Sequence, residues 1–90
     1  MIIGEVIGNV WATRKDEALN GLKLLVIKPL DYASGKDLPT LVAVDNIGAG
    51  TGEKVLIVKG SSARRALGKE EVPIDAIVVG IIDVVDVEDQ

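Results

Sequence analysis

The chain has 90 residues, a formal net charge of −4 at neutral pH, and neither cysteine nor histidine. The lack of imidazole and thiolate groups excludes Ser-His-Asp and Cys-His nucleophile systems and ordinary zinc sites, while the negative charge is unfavourable for binding a phosphate backbone. A single small domain over residues 1–90 buries only about 60–65% of the surface that its unfolded chain exposes, yet 48% of the residues are hydrophobic, so we expect apolar surface to contact another subunit.

The first third of the chain predicts two β-strands. Residues 2–12 carry apolar side chains that Gly4 and Gly8 interrupt, a pattern typical of a curved strand with a bulge or kink. After a polar connection, residues 22–30 form the second apolar run. Because Pro29 lacks a backbone N–H group, that end of the strand is expected at a sheet edge or at the strand terminus.

The middle of the chain predicts two further strands and a short helix. The third strand covers residues 40–45, and the fourth, after a glycine-rich loop, covers residues 54–59. Ser61 is the predicted N-cap of a helical turn over residues 62–67, and Gly68 is the predicted C-terminal stop.

The fifth predicted strand covers residues 76–87 and is apolar at nearly consecutive positions until Asp83. Such a run is typical of a strand that is buried on both faces. Five strands with glycines at the bends and one short helix predict an all-β fold, a small closed or nearly closed five-stranded β-barrel of the OB type.

The glycine-rich loop between the third and fourth strands raises the question of phosphate binding. A P-loop ends in Gly-Lys-Ser/Thr, whereas Lys54 follows Glu53 here. Gly48 and Gly50 fit the start of the dinucleotide fingerprint, but Glu53 takes the position of its third glycine. A strand follows the loop, so no helix dipole faces it. We therefore expect a tight turn that needs positive φ, and no bound nucleotide or other cofactor.

The location of the protein is predicted from three features. No apolar run approaches the roughly 20 residues that cross a bilayer, and the N-terminal segment lacks the basic start and small-residue cleavage site of a signal peptide. The absence of cysteine is compatible with a reducing compartment. We expect a cytoplasmic protein that has no membrane partner.

Three segments together resemble the EutN/CcmL family, the pentameric vertex proteins of bacterial microcompartment shells. The opening strands GEVIGNVWATRKDEALNGLKLLVIKPLD and the closing strand PIDAIVVGIIDVVDV are similar to those of the family. The central segment LVAVDNIGAGTGEKVLIVKGSSAR is the most specific, because VAVD, GAG-x-GE and GSSAR occur in order within residues 41–64.

The resemblance implies a structural, non-catalytic protein without metal or cofactor. Five copies of an OB-like barrel would form a truncated pyramid at each five-fold corner of a polyhedral shell in the cytoplasm, and hexameric shell proteins would build the facets. A flat hexagonal sheet does not close into a polyhedron without five-fold units. The implied function is therefore geometric closure.

A ring of five subunits also suggests a role for the glycine-rich loop. Equivalent loops would approach the symmetry axis, where crowded backbones favour glycine and alanine. We expect the loop at or near the central pore and a subunit contact, with its glutamate bonded to its own loop or to the neighbour; the alternative is a plain hairpin turn. The loop residues are Ile47, Gly48, Ala49, Gly50, Thr51, Gly52 and Glu53.

Arg64 is a further candidate for the subunit interface. Its planar guanidinium could pair with the carboxylate of Asp45 or Glu53 across the subunit boundary, which lysine would do less well. The alternative is a solvated side chain on a short helix.

Other functions are weaker candidates. An OB module that binds single-stranded nucleic acid uses a basic groove and aromatic platforms, but this chain has one tryptophan, one tyrosine and no phenylalanine. Trp11 is expected in the core or at an interface. An enzyme that acts through carboxylates ranks last, because no spacing converges two acids. A solvated end is preferred over a divalent-ion site for the C-terminal acids Asp83, Asp86, Glu88 and Asp89.

Overall fold

The computed structural model describes residues 1–13, 16–69 and 71–88, and these form a closed β-barrel with one α-helix on its outside. The predicted fold class is therefore confirmed. Within the described residues, no helix combines the length and apolarity that crossing a membrane requires. The elements are β1 (Ile2–Asn9), a 3-10 turn (Glu17–Leu19), β2 (Lys23–Pro29), β3 (Leu41–Asp45), β4 (Lys54–Lys59), α1 (Ser61–Leu67) and β5 (Ala76–Ile82).

The barrel closes in the strand order β1-β2-β3-β5-β4, with β1 paired to both β2 and β4. All neighbouring pairs are antiparallel except β3 and β5, which are parallel. The predicted bulge in β1 is confirmed, since the pairing with β2 shifts between Val6 and Gly8. Pro29 is the last residue of β2, as predicted. Gly4 is needed for close packing, because a β-carbon there would collide with the Cγ2 atom of Ile27.

Two apolar clusters hold the barrel and the helix together. The outer cluster, Val44, Ala63 and Ile77, joins β3 and β5 to α1 on the outside of the barrel. The inner cluster includes Ala49 of the glycine-rich loop, so this loop contributes to the core. Its buried members are Val6, Leu25, Ile27, Ala43, Ala49, Val55, Ile57, Ala76 and Val78.

The prediction that Ser61 caps α1 is wrong. Ser61 is the first helical residue, and the N-cap position is Gly60, which has no side chain to accept a hydrogen bond. Gly60 adopts a φ of 66°, a left-handed value that favours glycine, and its N–H group donates to the carbonyl of Asp75 at 2.8 Å. The predicted stop at Gly68 is confirmed, because this residue is left-handed and ends the helix.

The fifth strand is shorter and less buried than predicted. It ends at Ile82, and only its first three residues, Ala76 to Val78, are buried. The cause is the length of its parallel neighbour, since β3 ends at Asp45, opposite Val78. Val79 and Ile81 lie beyond this point, and each is 37% exposed.

The loop between β2 and β3 is organised by Asp31. The Oδ1 atom of Asp31 accepts hydrogen bonds from the N–H groups of Ala33 at 3.0 Å and Ser34 at 3.1 Å, and the Ser34 hydroxyl donates to Oδ2. These hydrogen bonds, chiefly the one from the hydroxyl, stabilise the ionised form and hold the pKa of the Asp31 carboxyl below its usual value.

Candidate functional site

The glycine-rich loop connects two strands that are not neighbours in the barrel. Strand β3 pairs with β2 and β5, whereas β4 pairs with β1 and β5. The alternative of a plain hairpin turn is therefore wrong, because a hairpin joins adjacent antiparallel strands. The loop instead crosses one end of the barrel, and its Ala49 is fully buried in the core there.

A buried carboxylate holds the first half of the loop. The side chain of Asp45 is 0% exposed, and its Oδ1 accepts from the N–H of Ile47 at 2.9 Å and its Oδ2 from the N–H of Ala49 at 2.8 Å. The N–H group of Gly48 lies 3.2 Å from both oxygens. The ammonium of Lys23 is 3.7 Å from Oδ2 and donates to the Ala49 carbonyl at 2.9 Å. The charge of the buried carboxylate is thus compensated by donors and a cation.

The second half of the loop is bound to β1. The N–H of Gly52 donates to the carbonyl of Val6 at 2.8 Å, and the N–H of Val6 donates to the carbonyl of Glu53 at 2.9 Å. The Glu53 carboxylate accepts from the N–H of Gly50 at 2.7 Å, so it binds its own loop. Gly48 and Gly52 have φ values of 105° and 91°, as expected for the turn.

These contacts fix the backbone of the loop and leave its outer face open. Ile47 is 47% exposed, and Thr51 and Glu53 are exposed too. Gly50 lies outside the left-handed region, and a β-carbon built there would approach only the Glu53 Oε1 atom, at 3.4 Å. The described chain itself therefore gives little reason for glycine at position 50.

Arg64 and Asp45 each have partners in their own chain. The Nη1 atom of Arg64 donates to the carbonyl of Ile74 at 3.0 Å, which joins α1 to the segment before β5. Asp45 is occupied by the loop and by Lys23. A contact of Arg64 with a neighbouring subunit remains a prediction.

Trp11 is not a core residue of the single chain, and that part of the prediction is wrong. Its side chain is 92% exposed and lines a groove that continues along the start of β2. Its predicted role at an interface remains a prediction. The groove, called here the Trp11 groove, is lined by Asn9, Val10, Trp11, Ala12, Gly21, Leu22, Lys23 and Leu24.

The structure does not group the acids into a metal site within its described residues. Residues 1–13, 16–69 and 71–88 contain no group of three or more His, Cys, Asp or Glu side chains that could hold a metal ion. Of the C-terminal acids, Asp83, Asp86 and Glu88 are exposed, and Asp89 lies outside the described residues.

Comparison with known proteins gives matches along nearly the whole chain. The family described as ethanolamine utilisation protein EutN/carboxysome matches residues 1–83. The chain is 50% identical over 86 residues to the bacterial microcompartment shell vertex protein GrpN of Rhodospirillum rubrum. This match covers 96% of this chain and 97% of GrpN. It is 47% identical over 91 residues to the carboxysome shell vertex protein CcmL of a Nostoc strain, covering 100% of this chain and 90% of that protein.

Solved structures of such proteins have the same fold. The pentameric microcompartment shell protein GrpN from Rhodospirillum rubrum superposes with a TM-score of 0.85 at 46% identity, covering 98% of this chain and all of GrpN. CcmL of Gloeobacter violaceus superposes with a TM-score of 0.87 at 45% identity, covering 98% of this chain and 91% of that chain.

Proposed function

The chain belongs to the EutN/CcmL family, and we propose that it is a structural, non-catalytic shell protein whose pentamers cap the five-fold vertices of a bacterial microcompartment. The observation that carries this function is the 50% identity to a shell vertex protein over 96% of the chain. The fold is shared with a pentameric shell protein at a TM-score of 0.85. The resemblance that the sequence motifs suggest is thereby confirmed.

The function of a shell vertex protein is to close a polyhedron, and it depends on the shape of the subunit. Hexagonal units tile a plane, and a closed polyhedron needs five-fold units at its corners. We propose hexameric shell proteins as the partners that form the facets around each pentamer. The chain then needs a rigid body and defined contact surfaces, and a closed barrel whose end is crossed by a fixed loop supplies the rigid body.

The loop from Ile47 to Glu53 is proposed to lie near the pore and a subunit contact of the ring. Two observations support this proposal. The loop backbone is fixed from inside by Asp45 and β1, while its outer face is open to solvent in the single chain. Moreover, the intrachain space at Gly50 does not by itself require glycine. Approach of a neighbouring subunit would account for the small residue at this position.

A nucleic-acid function gains no support from the site. The exposed tryptophan lines a groove in which, among the residues that the structure describes, Lys23 is the single charged side chain. Binding of single strands depends on several cations along a groove. We therefore propose that the partners are shell proteins, without nucleic acid or membrane. Labelled single-stranded DNA at low salt should show no saturable binding.

Co-assembly tests the proposed function. The chain is produced together with the hexameric shell proteins of its own organism, and the particles are imaged by electron microscopy. Shells made with the chain should be closed polyhedra, and shells made without it should remain open at the corners or form sheets and tubes. Equally closed polyhedra in both preparations would overturn the proposal.

A further inference from the structure

The C-terminal segment, defined here as residues 83–88, continues from β5 and is exposed at every position except Val85, which is half-buried. No hydrogen bond or ion pair joins it to the rest of the described chain. Val84 is 75% exposed and Val87 is 57% exposed, although valine is among the residues most often buried. The sequence of the segment, DVVDVE, combines three valines with three acids, so it is both apolar and negatively charged. A partner surface that suits it would be apolar and carry a positive charge.

The Trp11 groove has these properties. Its lining is mainly apolar, with Val10, Trp11, Leu22 and Leu24, and of the lining residues in the described part of the chain Lys23 is the charged one. The side chain of Lys23 is 49% exposed. An ammonium has three N–H donors, and the hydrogen bond to the Ala49 carbonyl uses one of them. The groove therefore presents apolar surface and an accessible cation to a partner.

The topology puts the groove and the segment at the same end of the barrel. Ile82, the last residue of β5, pairs with Lys54, which in turn pairs with Glu5 of β1. From Glu5, β1 runs on to Asn9 at the edge of the groove. The C-terminal segment therefore starts at the same end of the barrel as the Trp11 groove. In a ring whose subunits meet at this end, the segment starts beside the subunit contact.

We propose that the C-terminal segment of one subunit lies in the Trp11 groove of the next subunit. The valines pack against Trp11 and Leu22, and the carboxylates of Asp86 and Glu88 face the ammonium of Lys23. Such a contact joins two different surfaces, which is what a closed cyclic ring requires. A large aromatic side chain at the centre of the contact is typical of binding hot spots.

The proposal deepens the vertex function and rests on it, because the occupant of the groove is a second copy of this chain. It also connects the ring contact to the glycine-rich loop. Lys23, which receives the neighbour's carboxylates, contacts Asp45 and Ala49 of that loop. Lys23 would thus contribute both to the contact between subunits and to the conformation of the glycine-rich loop.

Disulfide trapping tests the contact directly, because the chain contains no cysteine. Two variants of different mass, Leu22→Cys and Val87→Cys, are produced together and oxidised after assembly. We expect a covalent dimer that contains one chain of each kind, in a ring of unchanged native mass. As a matched control, Leu38→Cys replaces Leu22→Cys. Leu22 is half-buried, whereas Leu38 is 40% exposed and therefore more accessible to a second cysteine. Leu38 lies beside Met1 at the opposite end of the β1–β2 pair, so little cross-linking is expected there.

A truncation gives an independent readout. Removal of residues 84–90 should leave the barrel folded and raise the protein concentration at which the ring dissociates by about tenfold or more. A ring of five without the Leu22–Val87 cross-link, and with unchanged dissociation after truncation, would overturn this inference and leave the vertex function intact. The absence of any ring in the unmodified protein would overturn both. Cross-linking of Val87→Cys to a facet protein would assign the segment to that partner and overturn the inference as well.

Discussion

The ammonium of Lys23 lies 3.7 Å from the buried carboxylate of Asp45, at the point where the glycine-rich loop begins. Lys23 opens β2 and Asp45 closes β3, and the two residues are direct partners in the β2–β3 pairing. The pair therefore couples the register of two strands to the conformation of the loop. Because the N–H groups of Ile47 and Ala49 donate to the same carboxylate, the position of the loop depends on the charge of Asp45.

Asp45→Asn should destabilise the protein strongly. The amide retains one acceptor oxygen in place of two and lacks the charge, so buried N–H groups of the loop lose their acceptor and Lys23 loses its counter-ion. We expect a loss of about 2–4 kcal/mol in the free energy of unfolding, measured by denaturant titration at a fixed protein concentration. Asp37→Asn, at an exposed position, is the control and should change little. Equal effects of the two substitutions would show that Asp45 does not hold the loop.

Gly50→Val should impair ring formation and leave the subunit folded. Within one chain the new side chain meets the Glu53 carboxylate, which can move, whereas a neighbouring backbone cannot. We expect the ring to dissociate at a protein concentration at least about tenfold higher, as measured by sedimentation. Gly8→Val is the control, since Gly8 shares an ordinary φ with Gly50 and a β-carbon built at Gly8 has no atom within 4 Å. Assembly that is indifferent to valine at position 50 would place the loop away from the contact.

Arg64→Ala tests the remaining interface residue. Loss of the hydrogen bond to the Ile74 carbonyl should cost about 1 kcal/mol of subunit stability. If Arg64 also contacts the neighbour, the ring will weaken by more than this loss explains. Arg65→Ala removes the adjacent, exposed guanidinium and serves as the control. If the ring dissociation constants of the two variants agree within error, Arg64 has its intrachain role alone and does not contact the neighbouring subunit.

Trp11 provides an intrinsic probe, because it is the only tryptophan in the sequence. At 92% exposure in the single chain, it should emit at long wavelength when the protein is dissociated. Burial in the ring should shift the emission to shorter wavelength, and the shift should follow protein concentration. Trp11→Ala should weaken the ring with little change in subunit stability. Emission that is identical in ring and monomer would contradict a buried Trp11.

The sequence predicted the elements of the barrel well where the signal is local. The fourth strand has the predicted bounds, residues 54–59, and the bulge near Gly8 and the helix stop at Gly68 are confirmed. The signal for each of these features, a β-rich run or a glycine, lies in the neighbouring residues of the sequence. The cap at Ser61 was wrong because the turn before α1 is fixed by a hydrogen bond from Gly60 to Asp75, fifteen positions away.

The anchor of the candidate site was harder to predict. The motif Asp45-Asn-Ile-Gly has the composition of an Asx turn, which signals that the aspartate binds its own backbone. Its pairing with Lys23 depends on the register of β2 and β3, which a single sequence does not give. The exposure of Val79 and Ile81 likewise follows from the early end of β3 in a parallel pair. Long-range pairing, and not local propensity, decides these features.

Native mass in solution tests the central claim most directly. The chain has a mass of 9.5 kDa, so a closed ring of five copies has a mass of about 48 kDa. Native mass spectrometry of the unmodified protein should give this species as the dominant one, with single chains released on activation. A dominant species of 9.5 kDa, or a ring of six, would contradict the assignment of this chain to five-fold vertices.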